Sequence, residues 1–215
     1  MGGECLGVLM GLFGRIGKGE PYDWLIVGLG NPGEKYARTR HNVGEEAVRL
    51  LADRRGVTLK GGRDNALVAE TRLHGPDGDE RVVLAFPITF MNDSGQSVSS
   101  LVRRYRIESP EQIIVIQDEL DLPPGELKIK AGGGLAGHNG LRSITQHLTT
   151  QDYLRIRIGV GKPDHKDVGK GHVLSKVPKA ERELLDMRIA DAADAAELIV
   201  ARGVDAAMQR YNSTR

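Results

Sequence analysis

From Asp23 onward, short apolar runs rich in β-branched residues alternate with stretches of helical spacing, an order that leaves room for little besides an α/β architecture. Strand-like runs fall at Leu25–Leu29, Ala66–Leu73, Arg81–Phe86, Ile113–Ile116, Glu126–Ile129 and Leu154–Val160. Helical spacing covers Gly44–Arg55, Gly95–Tyr105, Leu141–Thr149 and Lys179–Arg202, with a last short piece at Val204–Tyr211. The second and third runs are separated only by the turn-forming HGPDGDE, which predicts a hairpin and therefore a mixed sheet. At 215 residues and 40% hydrophobic content, the chain can build one well-buried core but hardly two. The expected fold is a single-domain three-layer α/β sandwich, with a mixed, twisted central β-sheet flanked by helices.

Residues 1–23 read differently. Gly7, Gly11, Gly14, Gly17 and Gly19 weaken any helix that Leu6, Val8, Leu9, Leu12 and Phe13 could line, so a loosely ordered extension is expected before a domain at 24–215. Glu4 stands where a signal peptide wants a basic start, and Met1-Gly2 lacks the Ser or Thr of a myristoylation site. The lone Cys5 cannot form an internal disulfide, which suits a cytoplasmic location, and no apolar run approaches membrane-spanning length. A formal charge of +1 leaves both nucleic-acid and small-molecule partners open.

The stretch LIVGLGNPGEKYARTRHNVG carries Gly28, Gly30 and Gly33 at the spacing of a dinucleotide-binding fingerprint. Such a site needs its helix to open directly at the glycines, so that terminal N–H groups meet the pyrophosphate. Here Pro32 removes one N–H and EKYARTRHN intervenes before a helix begins near Gly44. The acidic residue at the right offset, Asp53, falls inside that helix rather than at a strand end. The spacing is present without its context, and NAD binding is not expected.

The loop's polar side chains carry more information. Asn31, Tyr36 and His41 follow a buried strand, Asp118 ends IIVIQD, and Asn92 lies in FMNDSG between a strand and a helix. Strand-end loops thus offer an imidazole, a carboxylate and a carboxamide. Each also has an ordinary reading. Asp118 could anchor the DELDLPPG turn, Asn92 or Ser94 could cap a helix, and KAGGGLAGHNG could be a surface loop or an anion nest. Strand alternation sends Lys128 and Lys130 to one face, and likewise Arg155 and Arg157, as solvated residues or as a basic patch.

Taken together, the blocks VGLGNPGEKYARTRHNVG, PITFMNDSGQSV, DELDLPPGELKIKAGGGLAGHNGLRSI and YLRIRIGVGKP, with VGKGHVLSKV as a weaker fifth, closely resemble bacterial-type peptidyl-tRNA hydrolases. The resemblance runs from about Trp24 to the late helices. It implies a metal-independent esterase, without cofactor, that cuts the bond between a peptide and the 3′-terminal ribose of tRNA. On that resemblance His41 is the general base, Asp118 holds its imidazole, and Asn92 and Asn139 bind substrate carbonyl or main-chain groups. Asn31 would help distinguish blocked from free amino ends, and Tyr36 and Phe90, with Met91 beside them, would contact the tRNA end. Lys130 and Arg157 would clamp the tRNA 5′-phosphate, with Lys128, Arg142 and Arg155 as helpers. The implied partner is tRNA, with no membrane and no obligate protein partner, the protein being a monomer. Gln117 departs from the pattern, standing where the best-known members carry His, and GGGLAGHNG replaces a more His-rich loop.

The chemistry suits those roles. Water attack on an ester needs a base, a carboxylate fixes the tautomer of that base, and a carboxamide N–H can stabilise the developing oxyanion. Two rivals remain from other classes. One is a zinc hydrolase built on His41, Asp118 and His138, which lacks a short-spaced ligand motif. The other is a non-enzymatic RNA-binding module, which leaves the His–Asp–Asn grouping without a task.

Overall fold

The structure, a computed structural model, describes residues 20–162 and 169–213. The expectation for residues 1–23 therefore lies mostly outside the described residues. Tyr22 and Asp23, however, join the fold. Tyr22 donates its N–H to the Tyr105 carbonyl at 3.0 Å and sets its ring edge-on to the Tyr105 ring, centroids 5.0 Å apart.

Among the described residues, seven strands form one sheet in the order β2-β3-β4-β1-β5-β7-β6. They are β1 (Trp24–Gly28), β2 (Lys60–Gly61), β3 (Ala66–Gly75), β4 (Gly78–Pro87), β5 (Ile113–Glu119), β6 (Leu127–Ala131) and β7 (Leu154–Gly159). β4, β1, β5 and β7 run parallel, while β3 and β6 run antiparallel to their neighbours at either side. The expected hairpin is present, with Gly75 paired to Gly78 across a Pro76–Asp77 turn. The helices are α1 (Val43–Arg54), α2 (Ser94–Tyr105), α3 (Asn139–Leu148), α4 (Gly169–Leu174) and α5 (Lys179–Asn212). α5 absorbs both predicted C-terminal pieces and kinks at Gly203, whose φ of 83° no helix accommodates.

Alternation along the strands sorts the core into two layers. Ile26, Leu84, Ile114 and Ile116 face α1 and α5. Leu25, Val27, Val83 and Val115 face α2 and α3. The result is the expected three-layer mixed sandwich.

Gly28, the first glycine of the fingerprint spacing, and Gly44 in α1 find their use in this packing. A Cβ at Gly28 would lie 2.1 Å from the Gly44 carbonyl oxygen, and one at Gly44 would lie 2.1 Å from the Ile116 carbonyl oxygen. The start of α1 therefore rests directly on β1 and β5, and Glu45 donates its N–H to the Leu29 carbonyl at 3.0 Å. These glycines seat a helix against strands, and the intervening loop is free to carry side chains.

Candidate active site

α1, which follows β1, covers one face of the sheet, and α2, which follows β4, covers the other. Adjacent strands whose connections leave to opposite faces open a crevice at their carboxyl ends. There a cleft of about 430 Å³ is lined by Asn31, Tyr36, His41, Phe90, Met91, Asn92, Asp118 and Asn139. Eight residues separated by up to about a hundred positions in sequence thus share one cavity. Lys130 and Arg157 do not line it; they lie on β6 and β7.

The centre of the cleft is a carboxylate with two imidazoles. Asp118 is 3% exposed, and its Oδ1 meets His41 Nδ1 at 2.8 Å and His138 Nε2 at 3.1 Å. Burial alone would raise the Asp118 carboxyl, but the two imidazoles outweigh it and hold the group well below the usual carboxylate range. An ionised carboxylate only accepts hydrogen bonds, so both facing nitrogens carry protons. His41 is therefore the Nδ1–H tautomer, and its Nε2 is a bare lone pair with no protein partner among the described residues.

His138 is locked the other way. Its Nδ1 accepts the backbone N–H groups of Gly140 at 3.1 Å and Leu141 at 3.3 Å, capping α3. A proton there would cost both capping bonds, so of the two imidazoles only His41 has a nitrogen ready to take one. The same bonds bear on the zinc reading. His41, Asp118 and His138 do lie together, with ligand atoms within 4.8 Å of one another. A neutral imidazole that ligates through Nε2 must carry its proton on Nδ1, where His138 instead accepts two bonds. The donor set does not fit a cation.

The carboxamides are held to different degrees. Asn31 Oδ1 accepts the Met91 N–H at 2.9 Å, and its backbone N–H and carbonyl both bond to the Asn42 side chain, at 3.0 and 2.9 Å. That orientation leaves Asn31 Nδ2 as its free donor in the cleft wall. Asn92 is exposed and shares one amide hydrogen with Asp93 at 3.1 Å. Asn139 is exposed at the first position of α3. Tyr36 and Phe90 meet edge-on at 6.5 Å, with Phe90 54% exposed at the cleft mouth. Neither Asn92 nor Ser94 caps α2 through its side chain.

Pairing in the sheet turns the two basic rows into one patch: Lys128 stands opposite Arg157, and Lys130 opposite Arg155. The helper roles change there. Arg155 is 2% exposed and bonds the carbonyls of Gly132, Gly133 and Gly134, so it cannot reach RNA. Lys128 Nζ donates to the Asn212 carbonyl at 3.1 Å and ties down the end of α5. Arg157 Nε donates to Glu119 at 3.0 Å. Arg142 is exposed on α3.

The sequence reading did not find the cleft walls formed by Leu120, Val173 and Leu174. They lie within the motif blocks, but as apolar side chains they carry no chemistry that would single them out. His138 entered only as a metal ligand, because histidine is not among the usual helix-capping residues and its capping role left no signal in the sequence.

A family model described as peptidyl-tRNA hydrolase matches residues 25–215. The peptidyl-tRNA hydrolase of Leifsonia xyli subsp. xyli is 47% identical over 190 residues, covering 88% of this chain and 97% of that protein. That of Chloroflexus aggregans is 44% identical over 189 residues, covering 88% and 98%. Among solved structures, the peptidyl-tRNA hydrolase of Acinetobacter baumannii superposes with a TM-score of 0.82 at 42% identity, covering 92% of this chain and 99% of its own.

Proposed function

The chain belongs to the peptidyl-tRNA hydrolase family and hydrolyses peptidyl-tRNA; from that premise we propose that the reaction runs on water activated by His41, without a metal. The observation that carries this is the tautomer: the His41 Nδ1–H bond to buried Asp118 leaves Nε2 bare at the cleft. Nε2 takes a proton from water as the oxygen attacks the ester carbonyl. Asp118 stabilises the imidazolium that forms. Collapse of the tetrahedral intermediate breaks the bond to the ribose oxygen, which receives the proton back from Nε2. The products are free tRNA and the peptide's carboxylic acid, which releases its proton to solvent and leaves as the carboxylate.

The carbonyl oxygen gains charge on the way, and the Asn92 amide hydrogen not shared with Asp93 can meet it. Asn139 and Asn31 Nδ2 offer further donors to the peptide main chain. The exposed Phe90 ring and the Tyr36 ring beside it suit the terminal nucleoside. Lys130 and the terminal nitrogens of Arg157 hold the 5′-phosphate, positioning the RNA without reading its bases. The catalytic unit is residues 24–215, working as a monomer in the cytoplasm, a setting that a lone cysteine suits.

Turnover of peptidyl-tRNA with and without a chelator tests the reading. Equal rates are expected. Loss of activity on chelation with rescue by zinc would overturn the metal-free route.

A further inference from the structure

Arg155 is a buried cation with no carboxylate bonded to it among the described residues. It is 2% exposed, and its Nε has no partner at all. Its charge is met at hydrogen-bond distance by peptide dipoles alone, with the Tyr153 ring 5.8 Å from the guanidinium carbon and Glu119 acting at longer range. Nη1 donates to the Gly134 carbonyl at 2.8 Å, and Nη2 donates to the carbonyls of Gly133, at 2.5 Å, and Gly132. A buried charge is costly unless it is compensated, so this arrangement calls for a use.

The geometry of the peptide supplies one. In a trans peptide the carbonyl of one residue and the N–H of the next point in opposite directions. With the carbonyls of Gly132, Gly133 and Gly134 turned onto Arg155, the N–H groups of Gly133, Gly134 and Leu135 point away from it. None of the three donates to an acceptor among the described residues. Gly133 and Gly134 are exposed. Gly132 and Gly133 take φ of 63° and 86°, which a residue with a side chain rarely adopts, and nothing lies within 4 Å of where a Gly134 Cβ would stand. A Gly133 Cβ would lie 2.8 Å from Lys130 Nζ, so an ammonium flanks the same surface. Three open N–H donors thus lie over a buried guanidinium, beside a lysine.

Position completes the argument. The loop runs from Lys130 at one end to Ala136 and Gly137 in the cleft wall at the other. We propose that Arg155 is a positioning residue that never touches RNA and shapes residues 132–135 into a backbone cradle for a phosphodiester of the single-stranded tRNA 3′ end, on its way from the 5′-phosphate clamp to His41. This rests on the peptidyl-tRNA reading. The cradle is distinct from the clamp, because its donors are main-chain N–H groups and its ligand is an internal linkage.

The test uses acceptor-stem minihelices ending in single-stranded CCA, with native or methylphosphonate linkages in that tail, each with and without a 5′-phosphate. A neutral methylphosphonate keeps the shape and removes the charge. The full-length protein should bind the native tail about 10-fold more tightly than the neutral one, whether or not the 5′-phosphate is present. Gly134→Pro removes one cradle N–H while Arg155 stays in place, and Arg155→Lys keeps the charge but cannot span the carbonyls. Both should bind native and neutral tails with nearly equal, weakened affinity, while still responding to the 5′-phosphate. Equal binding of native and neutral tails by the unmodified protein would overturn the cradle, even if Arg155→Lys failed to fold. So would a variant that kept the full native-to-neutral ratio. If no minihelix bound at all, it would be the peptidyl-tRNA reading that failed.

Discussion

Two clusters of opposite charge flank α1, and they are built on different rules. At its beginning, His41 and His138 converge on one oxygen of Asp118, a carboxylate removed from water, and the grouping faces a cavity. Along its length, Glu46, Arg54 and Arg55 meet Arg182, Asp194 and Glu197 of α5, each charge against an opposite one. In the helix seam, pairing ends the matter: the contacts fasten one helix to the other. In the cleft, pairing is incomplete by design of the tautomers, since fixing one nitrogen of His41 leaves the other basic. A charged cluster does chemistry when its bonds leave a lone pair facing space, and otherwise it does adhesion.

The largest effect that would break this contrast is on turnover. His41→Ala should lower kcat by roughly 10²–10⁴-fold with little change in tRNA affinity, because the base acts in the transition state rather than in ground-state binding. Single-turnover rates beside tRNA binding measure both, and a near-normal kcat would remove His41 from the mechanism.

Asp118→Asn should cost less than His41→Ala within the same range of roughly 10²–10⁴-fold, since the base survives but loses the group that orders it. Asp118 stays ionised wherever the enzyme works, because its carboxyl is held well below the usual carboxylate range. The sign for stability follows from the same depression. Ionised Asp118 stabilises the fold above its unfolded value of about 3.9, and that contribution is lost only as pH falls through the lower folded value. Acid melts of Asp118→Asn should lack this component.

The seam should respond in stability alone. Arg182 is 9% exposed in its side chain and bonds both Glu46 and Asp186. Arg182→Met strands those carboxylates and should cost about 2–3 kcal/mol, short of a fully buried pair because Asp186 is half exposed. Burial pushes the Glu46 carboxyl up even against the pull of Arg182, so that carboxylate already sits at a loss and Glu46→Gln should cost less than its partner's replacement. Urea titration reads the difference, with kcat unchanged. A fall in kcat matching the fall in stability would erase the distinction between the clusters.

The smallest effect belongs to the rim of the seam. Arg54 and Asp194 meet at 2.6 Å with both side chains partly exposed, and Arg54→Ala should change stability by no more than about 0.5 kcal/mol.

Much of this could be read from residue order. The central strands are apolar and β-branched on both faces because helices cover both, so their runs stood out, as did the helices with a buried stripe. β2 escaped because two exposed residues, Lys60 and Gly61, carry no alternation. α4 escaped because six residues that include Gly169 and Gly171 show neither period nor propensity. At the site, the motif blocks brought Asn31, His41, Asn92, Asp118 and Asn139 to attention together. Strand alternation also put Arg155 and Arg157 on one face. It could not say that one of them would be buried beneath a glycine loop.

The sequence by itself determined the α/β class, the mixed sheet and the set of polar residues at the strand ends, because these depend on periodicity, turn chemistry and short-range order, which are local. Only the tertiary structure decided which imidazole is the base, whether three clustered ligand atoms suit a metal, and what Arg155 holds. Those depend on where the second bond of each group goes. His138 bonds forward into α3, His41 bonds across to β5, and Arg155 bonds back over β6 to the loop. Such choices are made between atoms far apart in the chain, in a space that exists only once the sheet has closed.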